Sequence, residues 1–153
     1  MTPEERLTTK GLTLPEAPPP VGSYVPCVQV EDVLYVSGQL PMRDGRLIAV
    51  GQVTGEVAIE RAGEAAVQAT LNALAQVAAH AGSLSRVARI VRLGVYVSSS
   101  PGFTGQSDVA NAASDLLYEL FDEAGRHARA AIGVSSLPKN APVELELIVQ
   151  IRR

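Results

Sequence analysis

At 153 residues with one cysteine, the chain has the size of a single domain, residues 1–153, with a core that needs no disulfide. A formal net charge of −3 and a pI near 5.4 argue against a polyanion as the main partner, and the absence of Trp leaves little to stack on single-stranded nucleic acid. No apolar run approaches the roughly 20 residues of a membrane span, and Glu4, Glu5 and Arg6 stand where a signal peptide needs an apolar stretch, so a soluble cytoplasmic protein is the expectation.

Thr2-Pro3-Glu4-Glu5 is a helix start, an N-cap hydroxyl followed by Pro and two acids near the positive end of the dipole. The helix should run to about Lys10 and stop at Gly11. Leu14–Gly22 is a proline-containing connector, so residues 1–20 form an N-terminal extension rather than a second domain. Tyr24–Val30 and Val33–Ser37 predict a β-hairpin around Glu31-Asp32. Lacking Asn-Gly or Asp-Gly there, the connection is open to being longer than two residues. Pro26 marks an edge strand or a bulge. Asp44-Gly45 is a better turn, before a short apolar stretch, Leu47–Val50.

Glu56–Ala81 predicts a long alanine-rich helix whose small residues, Ala62, Ala66, Ala69 and Ala73 with Leu74, Val77 and Ala81, let it lie close to a sheet. Gly82 ends it. Arg86–Ser98 predicts a strand with Val87, Val91, Leu93, Val95 and Val97 on one face and Arg86, Arg92 and Tyr96 on the other. After a Ser/Gly/Pro loop, Val109, Ala112, Ala113, Leu116, Leu117, Leu120 and Phe121 give a second amphipathic helix that ends near Gly125.

The C-terminal stretch carries the chemistry. Val143, Leu145, Leu147, Val149 and Ile151 alternate with Glu144, Glu146, Ile148 and Gln150, and upstream Ala130, Ile132 and Val134 alternate with Arg129, Ala131 and Gly133. Read as an antiparallel pair joined by the loop 135–142, the two strands place Arg129 on one face with Glu144 and Glu146. In isolation such a face is commonly a solvated or interface ion-pair surface; it is also the best candidate for catalysis in the chain. The element order fits an α+β fold, a mainly antiparallel or mixed sheet with two helices on one face. Tyr24, Tyr96, Ile90, Ile148, Ala131 and Gly133 are expected on the opposite face, which a second subunit would cover.

No metal site, Walker loop or dinucleotide fingerprint is present. His80 reads as a dipole partner at a helix end, and His127, close to Arg129, as a supporting residue behind the site. Cys27 reads as a strand core residue, since nothing cationic adjoins it in sequence.

Two stretches, Ala128–Val134 followed by Leu137–Val149, and Val21–Met42 with its Gly22-Ser23-Tyr24 and Ser37-Gly38-Gln39-Leu40-Pro41, resemble the signatures of the Rid (reactive intermediate deaminase, YjgF-type) family. The resemblance runs from about Pro20 onward and is nearest a longer branch with an N-terminal extension and a Gly-x-His-Ala-Arg run like Gly125–Arg129. It implies a chorismate-mutase-like fold, a homotrimer and a site in each cleft between subunits. It further implies that Arg129 binds a substrate carboxylate and that Glu144 positions the water attacking an imine carbon. Tyr24, Ser37, Gly38 and Ala131 would line the pocket. A helix Asn often does so too; here either Asn111, the only Asn in that helix, or Ser114 takes the place. The implied activity is cofactor-independent and metal-free hydrolysis of small enamines and imines, such as 2-aminoacrylate or 2-imino acids, to 2-oxo acids and ammonia. Two alternatives are a non-catalytic trimeric protein that binds small carboxylates, and an endoribonuclease-type translation inhibitor, against which the acidic balance counts.

Overall fold

Alternation places the central strand. In a computed structural model that describes all 153 residues, β7 (Val143–Ile151) buries Val143, Leu145, Leu147, Val149 and Ile151, and leaves the residues between them half-exposed. It lies between β2 (Val33–Gln39) and β5 (Val87–Ser98), antiparallel to both, in a five-stranded sheet of order β1-β2-β7-β5-β6. The edges are β1 (Cys27–Val30) and β6 (Ala128–Val134). Two short strands, β3 (Met42–Arg43) and β4 (Arg46–Leu47), form a separate hairpin whose turn residues Asp44 and Gly45 take φ of 53° and 77°. This is the left-handed pair that an Asp-Gly turn accommodates. The β1–β2 connection is a two-residue turn, with Glu31 at φ 55°.

The expected C-terminal hairpin does not form. β6 instead runs parallel to β5, reached through α3 (Gln106–Phe121), while β7 inserts on the other side of β5. The physical reason lies in the side chains. β7 offers five large apolar residues to the core and takes the middle, whereas β6 turns Arg129, Ala131 and Gly133 toward the helices and belongs at an edge where a guanidinium reaches solvent. Since periodicity fixes a strand's faces but not its neighbour, β6 and β7 were free to pair elsewhere.

The helices α2 (Ile59–Ala81) and α3 cover one side of the sheet. Ala62, Ala66, Ala69 and Ala73 of α2 are fully buried, and a 31-residue cluster joins the helices to β2, β5 and β7. α2 begins three residues later than its composition suggests, because Thr54 at φ 67° and Gly55 form a turn first. It ends at Gly82, φ 94°, as expected. Two irregularities in β5, between Val87 and Arg89 and between Ile90 and Arg92, turn Ile90 into the core and leave Val91 39% exposed. That reverses the faces expected for these two residues. Ala131 and Gly133 likewise face the helices, opposite Val95 and Val97, not the open side.

α1 (Pro3–Thr9) carries a full capping box between Thr2 and Glu5. It is tied to the end of α3 by Arg6–Asp122 and Lys10–Glu119 pairs. Glu4 also accepts the Leu84 N–H at 2.7 Å, which caps the 3-10 turn before β5. One polar stripe crosses the alanine helix. Gln68, Asn72 and Gln76, spaced i, i+4, i+8, are buried and hydrogen-bonded. Asn72 donates to the carbonyls of Leu40 and Met42 at 2.9 Å, and Gln76 donates to that of Pro18 at 2.6 Å. These bonds pin the loop after β2 and the Pro18–Pro20 strap beside Gly38. No helix is long and apolar enough to cross a membrane.

Candidate functional site

Arg129 sits on edge strand β6 in register with buried Leu93, which turns its side chain toward α3. There Nη1 donates to Asn111 Oδ1 at 2.9 Å and Ser114 Oγ at 3.1 Å, and Nη2 donates to Ser107 Oγ at 3.0 Å. Three neutral oxygens thus orient the guanidinium, and no carboxylate of the chain pairs with it. Of its five N–H groups, Nε–H and one on Nη2 remain free for an incoming acceptor. A half-buried cation without a counter-ion, held by neutral groups, has the chemistry to take an anion, and its planar fork matches the geometry of a carboxylate. The neighbouring surface is a polar depression of about 440 Å³ that includes Asn111, Ser114, His127 and Arg129.

Glu144 is elsewhere. It is in register with Tyr96 on the open face of the sheet, with β5 between its strand and β6. The expectation that Arg129, Glu144 and Glu146 share one face of one chain is therefore wrong, because it rested on the hairpin. Glu144 belongs instead with the loop after β2. β2 loses its register between Val36 and Gln39, and at this irregularity Gly38 lies so near that a Cβ there would stand 2.2 Å from Glu144 Oε1. Ser37 donates to the Val25 carbonyl at 2.6 Å, and Tyr24 lines a crevice with Gly38. The residues singled out from the sequence thus fall into two groups. Tyr24, Ser37, Gly38 and Glu144 gather at the β2–β7 end, while Arg129, Ala131, Asn111 and Ser114 gather at the β6 edge.

Burial, first, and then the negative charge of Glu146 push the Glu144 carboxyl above the ordinary range for Glu. Glu146 is committed elsewhere. It accepts Tyr96 Oη–H at 2.8 Å and pairs with Arg92 at 3.3 Å. Glu144 has neither partner: Glu146 is held by Tyr96 and Arg92, while the raised Glu144 carboxyl accepts no hydrogen bond within the chain. Burial also pushes the Cys27 thiol up to about 11, which fits a packed residue and not a nucleophile. His80 pairs with Gln29 at 2.9 Å, away from either group.

The whole chain from residue 4 to residue 151 matches the family model described as "YjgF/chorismate mutase-like, putative endoribonuclease". The chain belongs to the Rid family. Protein TCP17 of Trypanosoma cruzi is 44% identical over 142 residues, covering 92% of this chain and 89% of that protein. The 2-iminobutanoate/2-iminopropanoate deaminase of Dermatophagoides farinae is 34% identical over 140 residues, covering 92% and 94%. Among solved structures, the protein Atu1372 of Agrobacterium tumefaciens superposes with a TM-score of 0.90 at 44% identity, over 98% of this chain and 92% of that one. The α+β architecture is thus the Rid fold.

One contact was missed from sequence. Ser107 is the third oxygen on Arg129, and a signal for it exists. Ser107, Asn111 and Ser114 stand at i, i+4, i+7, a polar line on one face of a helix whose other face is apolar.

Proposed function

We propose that this Rid protein hydrolyses small 2-imino acids, or the imine tautomers of enamines such as 2-aminoacrylate, to 2-oxo acids and ammonia at sites completed between copies of a homotrimer. The observation that carries this is Arg129, a guanidinium oriented by three neutral oxygens with two N–H groups free and no carboxylate of its own. In this reading its fork takes the substrate carboxylate and supplies orientation. Glu144, contributed by a neighbouring copy, accepts a proton from water as the water oxygen bonds to the imine carbon. The carbinolamine nitrogen then takes that proton from Glu144, the C–N bond breaks as the carbinolamine hydroxyl returns its proton to the Glu144 carboxylate, and ammonia leaves as the C=O bond forms. A raised carboxyl suits both halves of that exchange.

Assembly is supported by what one chain leaves uncovered. Val28, Val30, Tyr35 and Ile132 are each about half exposed on the open face, beside the half-buried Tyr96 and Ile148. An RNA substrate has less support, because the guanidinium stands among hydroxyls on a chain of net charge −3, not on a basic stripe.

The test combines light scattering with calorimetry of pyruvate and 2-oxobutanoate and a coupled assay of imines generated by an amino-acid oxidase. Wild type is expected to be trimeric at micromolar concentration. Arg129→Ala, losing bonds worth about 1.5–3 kcal/mol each, should weaken 2-oxo acid binding by about 100-fold or more. Glu144→Gln should lower turnover by about 10²–10⁴-fold and leave that binding within roughly tenfold. Equal binding by Arg129→Ala and wild type refutes the site. Wild type that binds 2-oxo acids but never accelerates hydrolysis is a carboxylate-binding protein instead.

A further inference from the structure

His127 lies two residues before Arg129, and its ring is fixed at both nitrogens. Nδ1 is 2.6 Å from the Gly125 carbonyl oxygen, and Nε2 is 2.9 Å from Ser114 Oγ. A carbonyl only accepts, so Nδ1 carries the hydrogen. In the neutral ring Nε2 is then an acceptor and takes the Ser114 hydroxyl hydrogen. That leaves the Ser114 lone pairs for Arg129, whose Nη1–H is 3.1 Å away. A charged ring would reverse the bond, and one neutral oxygen would then face donors from two cations. The relay therefore runs in one direction, from Arg129 through Ser114 and His127 to the Gly125 carbonyl.

Its far end is rigid. Gly125 packs against the last turns of α3 so closely that a Cβ would stand 2.2 Å from the Leu117 carbonyl oxygen. The other charged groups nearby point elsewhere or stand apart from the relay. Arg126 stacks over Tyr118 at 4.6 Å and pairs with Glu123, and Asp115 lines the depression without bonding to the ring.

We propose that His127 is a positioning residue: by accepting the Ser114 hydroxyl hydrogen through Nε2 it fixes the lone pair that holds Arg129, and so sets the affinity of the site for a substrate carboxylate. The proposal rests on the carboxylate-binding reading of Arg129. It goes beyond that reading in assigning a role to a side chain that touches no substrate.

The test uses the whole 153-residue chain and amides that imitate one ring nitrogen each. Gln at 127 places an amide oxygen where Nε2 stands, and Asn places its amide nitrogen where Nδ1 stands. His127→Asn keeps the bond to Gly125 and loses the acceptor for Ser114. It should weaken pyruvate binding about three- to tenfold, the worth of one neutral hydrogen bond, and raise KM more than it lowers kcat. His127→Gln should bind within about twofold of wild type. Ser114→Ala should lose as much as His127→Asn, and the double variant should lose no more than Ser114→Ala alone. Long-range 1H–15N correlation spectra are simple to assign, because His80 is the only other histidine. They should show the Nδ1–H form of His127 and a shift of its Nε2 resonance in Ser114→Ala. Wild-type binding by His127→Asn, equal losses in Asn and Gln, or losses that multiply in the double variant would each overturn the relay. If wild type binds no 2-oxo acid, the functional reading falls. The spectra then decide the relay alone, and an Nε2–H ring rejects it.

Discussion

Gly38→Ala is the substitution whose effect the geometry fixes most tightly. A Cβ at position 38 would lie 2.2 Å from Glu144 Oε1 and 3.1 Å from Cδ, with Glu144 Cγ at 3.3 Å. Carbon and oxygen do not approach within about 3.2 Å without repulsion, so the carboxylate must withdraw by about 1 Å. It can do so, because it is the far end of a flexible side chain and accepts no hydrogen bond within the chain. Gly38 is also outside the left-handed region, so alanine is free of backbone strain there. The stability change should therefore stay within about 1–2 kcal/mol. Turnover is another matter, since a misplacement of about 1 Å at a reacting group costs on the order of 100-fold. The coupled imine assay beside a thermal melt and pyruvate calorimetry separates these effects. Melting within about 8 °C of wild type, near-normal 2-oxo acid binding at Arg129 and a rate loss near 100-fold are expected. A folded Gly38→Ala protein that turns over within threefold of wild type would show that the position of the Glu144 carboxylate does not set the rate.

Glu146→Gln removes the charge that helps burial to raise the Glu144 carboxyl, and frees Arg92 as well. Both changes lower that raised value, so the acid limb of the kcat/KM profile should move to lower pH, and an unmoved limb assigns it to another group. Because the fold binds the Glu144 proton more tightly than the unfolded chain does, its contribution to stability is full below the ordinary Glu value. That contribution is lost as pH rises through the raised one. Gly125→Ala contrasts with Gly38→Ala, since its Cβ would meet backbone, the Leu117 carbonyl at 2.2 Å and Tyr118 Cα at 3.0 Å. Backbone does not yield, so denaturant unfolding should show a loss of about 3 kcal/mol or more, and a loss under 0.5 kcal/mol would contradict the packing.

How the chain disclosed itself differs from element to element. β7 was legible because five large apolar residues at period 2 admit one face toward the core. α2 was legible because alanine both favours helix and permits close approach, and Gly82 marks its end. The partner of β6 was not legible, since period 2 says nothing about direction or neighbour and the β5–α3–β6 crossover competes with a hairpin. Nor were the irregularities in β5, which exchange Ile90 and Val91 without any change of composition. Arg129 and Glu144 were singled out partly through a pairing that does not exist. Their residue types and the family signature pointed to them all the same, while the shared face came from the hairpin alone. Asn111 and Ser114, held open as alternatives for one place, both bind Arg129.

That failure carries information of its own. Within one chain, the groups best suited to hold a carboxylate and to accept a proton lie on opposite faces of the sheet, with β5 between their strands. An open edge at β6, an open face that is partly apolar and an uncompensated guanidinium are three separate liabilities for a monomer in water. The proposed trimer relieves all three with a single contact, because a neighbour whose β2–β7 end approaches β6 covers the edge and brings Glu144 toward Arg129. Keeping the two groups apart until assembly also serves the chemistry. A glutamate beside Arg129 in the same chain would pair with the fork that the substrate carboxylate needs, and its own carboxyl would be pushed down instead of up. In the folded chain Glu144 has only burial and Glu146 acting on it, and both raise it. In the unassembled chain the separation keeps the fork of Arg129 free and the Glu144 carboxyl raised, and in the proposed assembly the substrate carboxylate, not Glu144, would occupy that fork.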